Sequence, residues 1–379
     1  MHQVQTGLEV LLKERINILK GRRIGLITNQ SAVASDLTPS LDAILAAGVN
    51  VTTLFAPEHG IKGEFPDGHE FNTSIDARTN LPIYSLYGKT KKPTPEMLSD
   101  IDVILFDIQD IGVRYYTFLY TLAYTMQACA ENNKPIVVLD RPNPLGGISV
   151  EGPVLDTKFS SFVGLYPIPV RYGMTIGELA RLFNDEFNIN ADLEVVLLSG
   201  WKREMWFNET NLPWIPPSPN IPTPDTALAY TGTCLLEGTN VSEGRGTATP
   251  FLSIGAPWTD SHILSSELNS YSLSGIKSMP IHFIPSVSKY SNQTCSGVYL
   301  QISDRTSFQP VLTGVKIIEI IHRLWPNEFR FRDPGQDGRC FFDLLIGTDQ
   351  VRIDIENGLS AEDIQKGWKN DLAQFGLIR

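Results

Sequence analysis

Short apolar runs alternate with amphipathic stretches through the first half of the chain, and the two periods predict strands and helices in turn. Arg22–Asn29 and Val49–Phe55 are rich in β-branched and aromatic residues and predict buried strands. Between them Thr38-Pro39 predicts a helix start, with Thr38 as cap and Pro39 in the first turn, running to Ala47 and stopping at Gly48. Leu81–Gly88 reads as a short strand or extended loop, and Thr94-Pro95 as another helix start. Val103–Asp107 is a strongly apolar strand, followed by a helical stripe from about Thr117 to Asn132. Pro135–Asp140 is the next strand. Thr175 and Glu178 form a capping box for a helix to about Phe187, and Leu193–Leu198 continues the alternation. Strands alternating with helices in this way predict an α/β domain with a mainly parallel, Rossmann-like sheet.

The alternation breaks between Pro213 and Pro224, where Pro213, Pro216, Pro217, Pro219, Pro222 and Pro224 exclude helix and interior strand. A domain boundary is placed there: residues 1–224 form the Rossmann-like domain and 225–379 a smaller α+β domain. The latter includes a strand at Gly297–Ile302 and helices near 311–324 and 360–374, the last capped by Ser360 with Asp363.

With 379 residues the chain has ample length for two cores. Its net charge of -11 argues against nucleic-acid binding and against a broad basic face for an anionic membrane. No apolar run reaches membrane-spanning length. The start Met1-His2-Gln3-Val4-Gln5-Thr6-Gly7 has no charged start and apolar run, so a cytoplasmic compartment is expected of the chain as it stands. The alternative is export, with the leader trimmed. Cys129, Cys234, Cys295 and Cys340 are too far apart for a metal or redox motif, and Cys129 reads as a core residue.

In a parallel sheet the carboxyl ends of the strands share one edge, where ligands bind. Four predicted strands end there in polar residues. The first ends at Asn29, the second at Glu58-His59, the third leads into Asp107-Ile108-Gln109-Asp110 and on to Arg114-Tyr115-Tyr116, and the fourth ends in Asp140-Arg141-Pro142-Asn143. Gathering that many carboxylates without purpose is costly. Structural readings stand beside the functional ones: Asp107 as a cap, Arg114 paired with Asp110 or Asp140, Asp140-Arg141 as a bridge, and Asn143 as a turn former. Two later stretches add amides and glycines, Pro217-Ser218-Pro219-Asn220 and Glu237–Thr247. The second lets backbone approach a ligand closely, although it also resembles a plain linker. No phosphate-loop pattern occurs, and no G-x-G-x-x-G follows the first strand, so no nucleotide cofactor is expected.

Three classes fit a carboxylate-rich pocket. A glycoside hydrolase needs two carboxyl groups about the scissile bond. A metal hydrolase would set His59, Asp107, Asp110 and Asp140 around a divalent ion. A glycan-binding module would use the same groups without chemistry. A serine hydrolase is disfavoured, since no G-x-S-x-G elbow appears.

Several strings together resemble one family across nearly the whole chain. They are Arg23–Asn29, Pro57-Glu58-His59-Gly60, Tyr84–Gly88, Phe106–Asp110, Leu139–Pro144, Pro217–Asn220 and Glu237–Asn240. The chain resembles the exo-β-N-acetylmuramidases of the NamZ type, a bacterial family formerly listed as a domain of unknown function. The resemblance implies release of N-acetylmuramic acid from the non-reducing end of peptidoglycan fragments of MurNAc-GlcNAc type. It implies an active site between two domains, with the family's proposed catalytic glutamate at Glu58. The chain lacks the close His/Cys spacing of a zinc site and a glycosidase pair needs no ion, so no metal or cofactor is expected. Gln30-Ser31 departs from the Pro-Ala or Pro-Thr of many relatives.

On this reading the candidate catalytic residues are Glu58, His59, Asp107 and Asp110. Candidate substrate contacts are Asn29, Glu64, Arg114, Tyr116, Asp140, Arg141, Asn143, Asn220, Glu237, Asn240 and Arg245. The lactyl carboxylate of the sugar needs a cationic partner. Arg114 is the first expectation, then Arg245, then Arg141; Tyr115 or Tyr116 would wall the sugar ring.

Overall fold

The structure is a computed structural model that describes residues 3–379. Met1 and His2, where the reading of the amino terminus begins, lie outside the described residues. After a short helix α1 (Gly7–Val10), the first part is built on strands β1 (Arg23–Thr28), β2 (Asn50–Ala56), β3 (Ser74–Ile75), β4 (Pro82–Ser85), β5 (Val103–Asp107) and β6 (Ile136–Leu139). A two-stranded ribbon, β7 (Glu151–Val154) with β8 (Pro169–Arg171), precedes the last strand of the large sheet, β9 (Leu193–Val196). The sheet runs β3-β4-β2-β1-β5-β6-β9 and is parallel except for β3. Helices α2 (Ser40–Ala46), α3 (Phe118–Glu131) and α4 (Ile176–Asp185) connect its strands.

The sheet is covered on both faces, which is why its strands are apolar throughout rather than alternating. Period-2 geometry still sorts them: Val103 and Leu105 belong to one core, Ile104 and Phe106 to the other. The first core is completed by Leu8, Leu11 and Ile44. The second continues without a break into the carboxyl-terminal part through Leu235, Val315 and Phe342.

That part begins with α5 (Pro224–Thr233) and holds an antiparallel sheet of β10 (Ser253–Ala256), β12 (Cys295–Ile302) and β11 (Ile276–Phe283) in that order. Around it lie α6 (Ser261–Ser270), α7 (Pro310–Leu324), α8 (Phe341–Ile346), α9 (Gln350–Glu356), α10 (Ala361–Lys366) and α11 (Lys369–Ile378). No helix of the described residues is long and apolar enough to cross a membrane.

Three local expectations change. Pro39, not Thr38, occupies the cap position of α2, and no side chain caps it. Pro95–Asp100 forms successive turns rather than a helix. Pro93 and Pro95 both lack an N–H, and the run to the buried strand is too short for nucleation. The last predicted helix is two, α10 and α11, separated at Gly367-Trp368. The capping box at Thr175 forms, with Glu178 donating its own N–H to Thr175 Oγ1 and accepting the Thr175 N–H through its carboxylate.

Candidate active site

The chain leaves β2 through a tight turn in which Gly60 N donates to Pro57 O at 3.1 Å. His59 occupies the third position with φ +72°, the left-handed conformation that a type II turn demands there. A non-glycine residue held in that region carries local strain, a feature that concentrates at functional sites. Gly60 follows at φ +80°, and a Cβ on it would meet the Phe65 ring at 2.8 Å. The His59 ring is fixed by a 2.9 Å bond from Nδ1 to Phe65 O. A carbonyl only accepts, so Nδ1 carries the proton.

This turn aims Glu58 into a cavity of about 410 Å³ lined from both parts of the chain. Glu58 is buried, and each of its oxygens is held: Gly68 N donates to Oε1 at 3.1 Å and Thr117 Oγ1 to Oε2 at 2.8 Å. Tyr87, Lys91, Tyr116 and Phe162 stand around it, and Asn220, Glu237, Arg245 and Arg332 face it from the other side. Burial first, and then the Glu58 carboxylate, push the Tyr87 phenol above its ordinary value. Arg245 lies among three acids, at 2.8 Å from Asp67, 2.7 Å from Glu237 and 3.4 Å from Glu243. Burial opposes its charge, but those carboxylates outweigh it and hold its pKa above the ordinary value. Glu237 is shifted up by burial despite the same contact. Asn220 Nδ2 donates to Asp67 Oδ1 at 2.9 Å, which ties the proline-rich segment to the 57–68 loop.

Of the expected site residues, Glu58, His59, Tyr116, Asn220, Glu237 and Arg245 therefore line one cavity. The other strand ends do not reach it, and each has a reason. Asp107 is fully buried in a two-pronged pair with Arg141, at 2.6 and 2.9 Å. Arg141 also donates to Val33 O, so the pair closes the crevice between β1 and β5 where the strand order reverses. In open α/β sheets that crevice is the usual ligand position. Here an ion pair fills it, and the cavity sits one strand over.

Asp110 is buried, accepting from Gly112 N at 2.8 Å and from the Tyr172 hydroxyl. Burial raises its pKa to about 6. Asp140 caps α4 through Gly177 N at 2.8 Å and Thr175 Oγ1 at 3.1 Å. Asn143 is a turn residue, with Oδ1 accepting from Leu145 N and Nδ2 donating to Met174 O. Asn240 is spent on the backbone of Glu328 and Arg330. Glu64 is exposed on its loop and accepts from Lys62 N.

Asn29 faces a separate cavity bounded by α2 and the 76–78 turn, and its Oδ1 accepts from Ser31. Arg114, the first expectation for the lactyl carboxylate, is fully buried away from the cavity and donates to four backbone carbonyls. It pairs with neither Asp110 nor Asp140.

The residues that the strand-end pattern missed are Tyr87, Lys91, Thr117, Phe162 and Arg332. Tyr87 stood within a quoted family string, Tyr84–Gly88. Thr117 stood at the start of the predicted stripe of α3, while Lys91, Phe162 and Arg332 come from loops with no periodicity to mark them, and only tertiary packing brings them to this cavity.

The buried Asp140 makes stability depend on pH. Burial raises its pKa from 3.8 to about 7. The folded state therefore binds a proton that the unfolded chain releases, and stability falls as pH rises from the unfolded value through about 7. Asp140→Asn keeps an acceptor for Gly177 and leaves Thr175 Oγ1 a partner. Urea midpoints measured from pH 4 to 8 are expected to fall less steeply in the variant than in the wild type; parallel curves would remove Asp140 as the cause.

Comparison with known proteins places the chain in a family. The family model described as exo-beta-N-acetylmuramidase NamZ, N-terminal, matches residues 24–225, and its C-terminal counterpart matches residues 228–379. The chain is 50% identical over 378 residues to the peptidoglycan beta-N-acetylmuramidase NamZ of Bacillus subtilis (strain 168), covering 100% of this chain and 90% of that protein. Two crystal structures of DUF1343 family proteins from Bacteroides fragilis NCTC 9343 share the fold. One has a TM-score of 0.92 at 38% identity, covering 99% of this chain and 97% of its own. The other has 0.78 at 34%, covering 100% and 97%. By sequence along its full length and by fold, the chain belongs to the NamZ family of exo-β-N-acetylmuramidases.

Proposed function

We propose that this protein hydrolyses the β-glycosidic bond of a terminal N-acetylmuramic acid at the non-reducing end of peptidoglycan-derived MurNAc-GlcNAc chains, with Glu58 as the proton donor. The observation that carries this reading is the placement of Glu58. It is the strand-end carboxylate that enters the cavity, with both oxygens held from opposite sides. Protonation of the bridging oxygen by Glu58 frees the leaving sugar as the muramic acid C1–O bond breaks; water then supplies the hydroxyl at C1, and its proton restores Glu58. Asp67 and Glu237 are the other carboxylates in the cavity. Glu237 is engaged by Arg245, and Asp67 by Arg245 and Asn220.

The test is product analysis by proton NMR on the disaccharide MurNAc-GlcNAc and on its GlcNAc-terminated counterpart. Free N-acetylmuramic acid from the first and no cleavage of the second are expected. Release from the GlcNAc-terminated chain at a comparable rate would overturn the assignment of the accepted end.

A further inference from the structure

The sugar that this reading places at Glu58 carries an anion, and the cavity sets three carboxylates against three cations, Lys91, Arg245 and Arg332. Glu58, Asp67 and Glu237 all face it. A chain of net charge -11 adds a long-range field of the same sign. Binding an anion there requires a cation whose charge is not already used. Arg245 is surrounded by Asp67, Glu237 and Glu243. Arg141 is committed to Asp107, and Arg114 to backbone carbonyls outside the cavity. Two cavity cations remain without an ion pair among the described residues, Lys91 and Arg332.

Lys91 rests its ammonium 4.0 Å from the centre of the Phe162 ring. Glu58 and Glu70 are close enough to attract it, yet no carboxylate lies within ion-pair distance among the described residues. Burial pulls its pKa below the ordinary lysine value, which marks a charge with too little compensation. Arg332 stands on the other wall, stacked at 5.6 Å over Phe341, with its nearest polar contact at 3.5 Å to Glu237 O.

The sugar itself decides between them. The lactyl carboxylate and the reacting C1 belong to the same ring, so the partner cation must share the neighbourhood of the acid. Lys91 does: its ammonium rests on Phe162, whose ring packs against Tyr87 and against Tyr120 of α3, the helix whose preceding residue Thr117 holds Glu58, whereas Arg332 stacks on Phe341 beside Glu237.

We propose that Lys91 is the specificity-determining residue for the muramyl sugar: its ammonium receives the lactyl carboxylate at the subsite of Glu58. This rests on the hydrolase reading above. In the absence of that anion the ammonium lies on the Phe162 face, a weak partner that a carboxylate displaces. Phe162 then holds the lysine stem, so the charge is delivered from a supported position.

Lys91→Met keeps the length and apolar stem on Phe162 and removes the charge. A charge-assisted contact predicts a loss of about ten- to a hundred-fold in kcat/KM for a chromogenic N-acetylmuramide. The matching N-acetylglucosaminide should lose less, narrowing the gap between the two, and Lys91→Arg should restore part of it. Calorimetric titration of wild type and variant with N-acetylmuramic acid and with N-acetylglucosamine reads the same preference without turnover. A preference for the muramic acid that disappears in Lys91→Met supports the assignment even where hydrolysis fails; that failure would sink the hydrolase reading alone. Equal losses on both sugars, an unchanged preference, or a preference lost in Arg332→Met and kept in Lys91→Met would each overturn it.

Discussion

Glu58→Gln is expected to give a folded protein whose kcat on a muramide is lower by at least about 10²-fold, the low end for loss of a general acid. Retention of the fold follows from the contacts. Gly68 N needs only an acceptor, and the glutamine carbonyl supplies one at the same place. Thr117 donates its hydroxyl to the other oxygen, and a hydroxyl that rotates can accept from an amide instead. The substitution removes the transferable proton and little else, so KM should change much less than kcat. Circular dichroism and a urea midpoint on the same preparation separate chemistry from folding. A correctly folded glutamine variant with wild-type turnover would remove Glu58 from the mechanism.

Arg114→Ala is expected to lower stability by about 4 kcal/mol or more, at the exceptional end for a single substitution. The guanidinium donates to Pro153 O and Ile168 O at 2.8 Å each, and to Leu345 O and Ile346 O at 2.9 and 2.6 Å. It thereby joins the loop after β5 to the β7–β8 ribbon and to the carboxyl end of α8. A positive charge at a helix carboxyl end is favourable in itself.

No carboxylate compensates the buried cation, and burial pulls its pKa down to about 10. Alanine would leave four buried carbonyls without their donor and open a void at the junction of the two parts. The close fit extends to Gly347, at φ +90°, where a Cβ would lie 2.6 Å from Arg114 Nη2. The measurement is a urea midpoint, with KM determined on the folded fraction. An unchanged midpoint together with a raised KM for the muramide alone would return Arg114 to the substrate.

Taken together, the two substitutions separate chemistry from architecture among residues that look alike in sequence. Both positions follow strands of one parallel sheet, both are buried, and both carry charge. Glu58 sits on a turn that points it into the cavity, whereas Arg114 lies on a loop that sends its side chain to the β7–β8 ribbon and α8.

The parallel sheet was legible in the sequence because both faces are covered, so β1, β2, β5 and β6 are continuous apolar runs that need no tertiary information to find. The same holds for α3 and α4, where an apolar stripe and the Thr175–Glu178 capping box are local signals. Gathering Asn29, Glu58, Asp107 and Asp140 along one sheet edge also followed from parallel order alone. Glu58 and His59 were distinguished by their place between an apolar strand and two glycines, and by a family string that covers them.

Which of those strand-end groups faces the cavity was decided only by tertiary structure. A carboxylate after a strand reads the same whether it faces water, a helix amide or an arginine. Asp107 finds Arg141 across 34 positions of sequence, and Asp140 finds the start of α4. Arg114 was read as the partner of the substrate carboxylate, or of Asp110 or Asp140, because its actual partners are backbone carbonyls, which every residue has and no side-chain pattern reveals. Lys91 and Arg332 escaped for the complementary reason. Their value lies in the ion pairs they do not make, and that becomes visible only when every neighbouring charge has been placed.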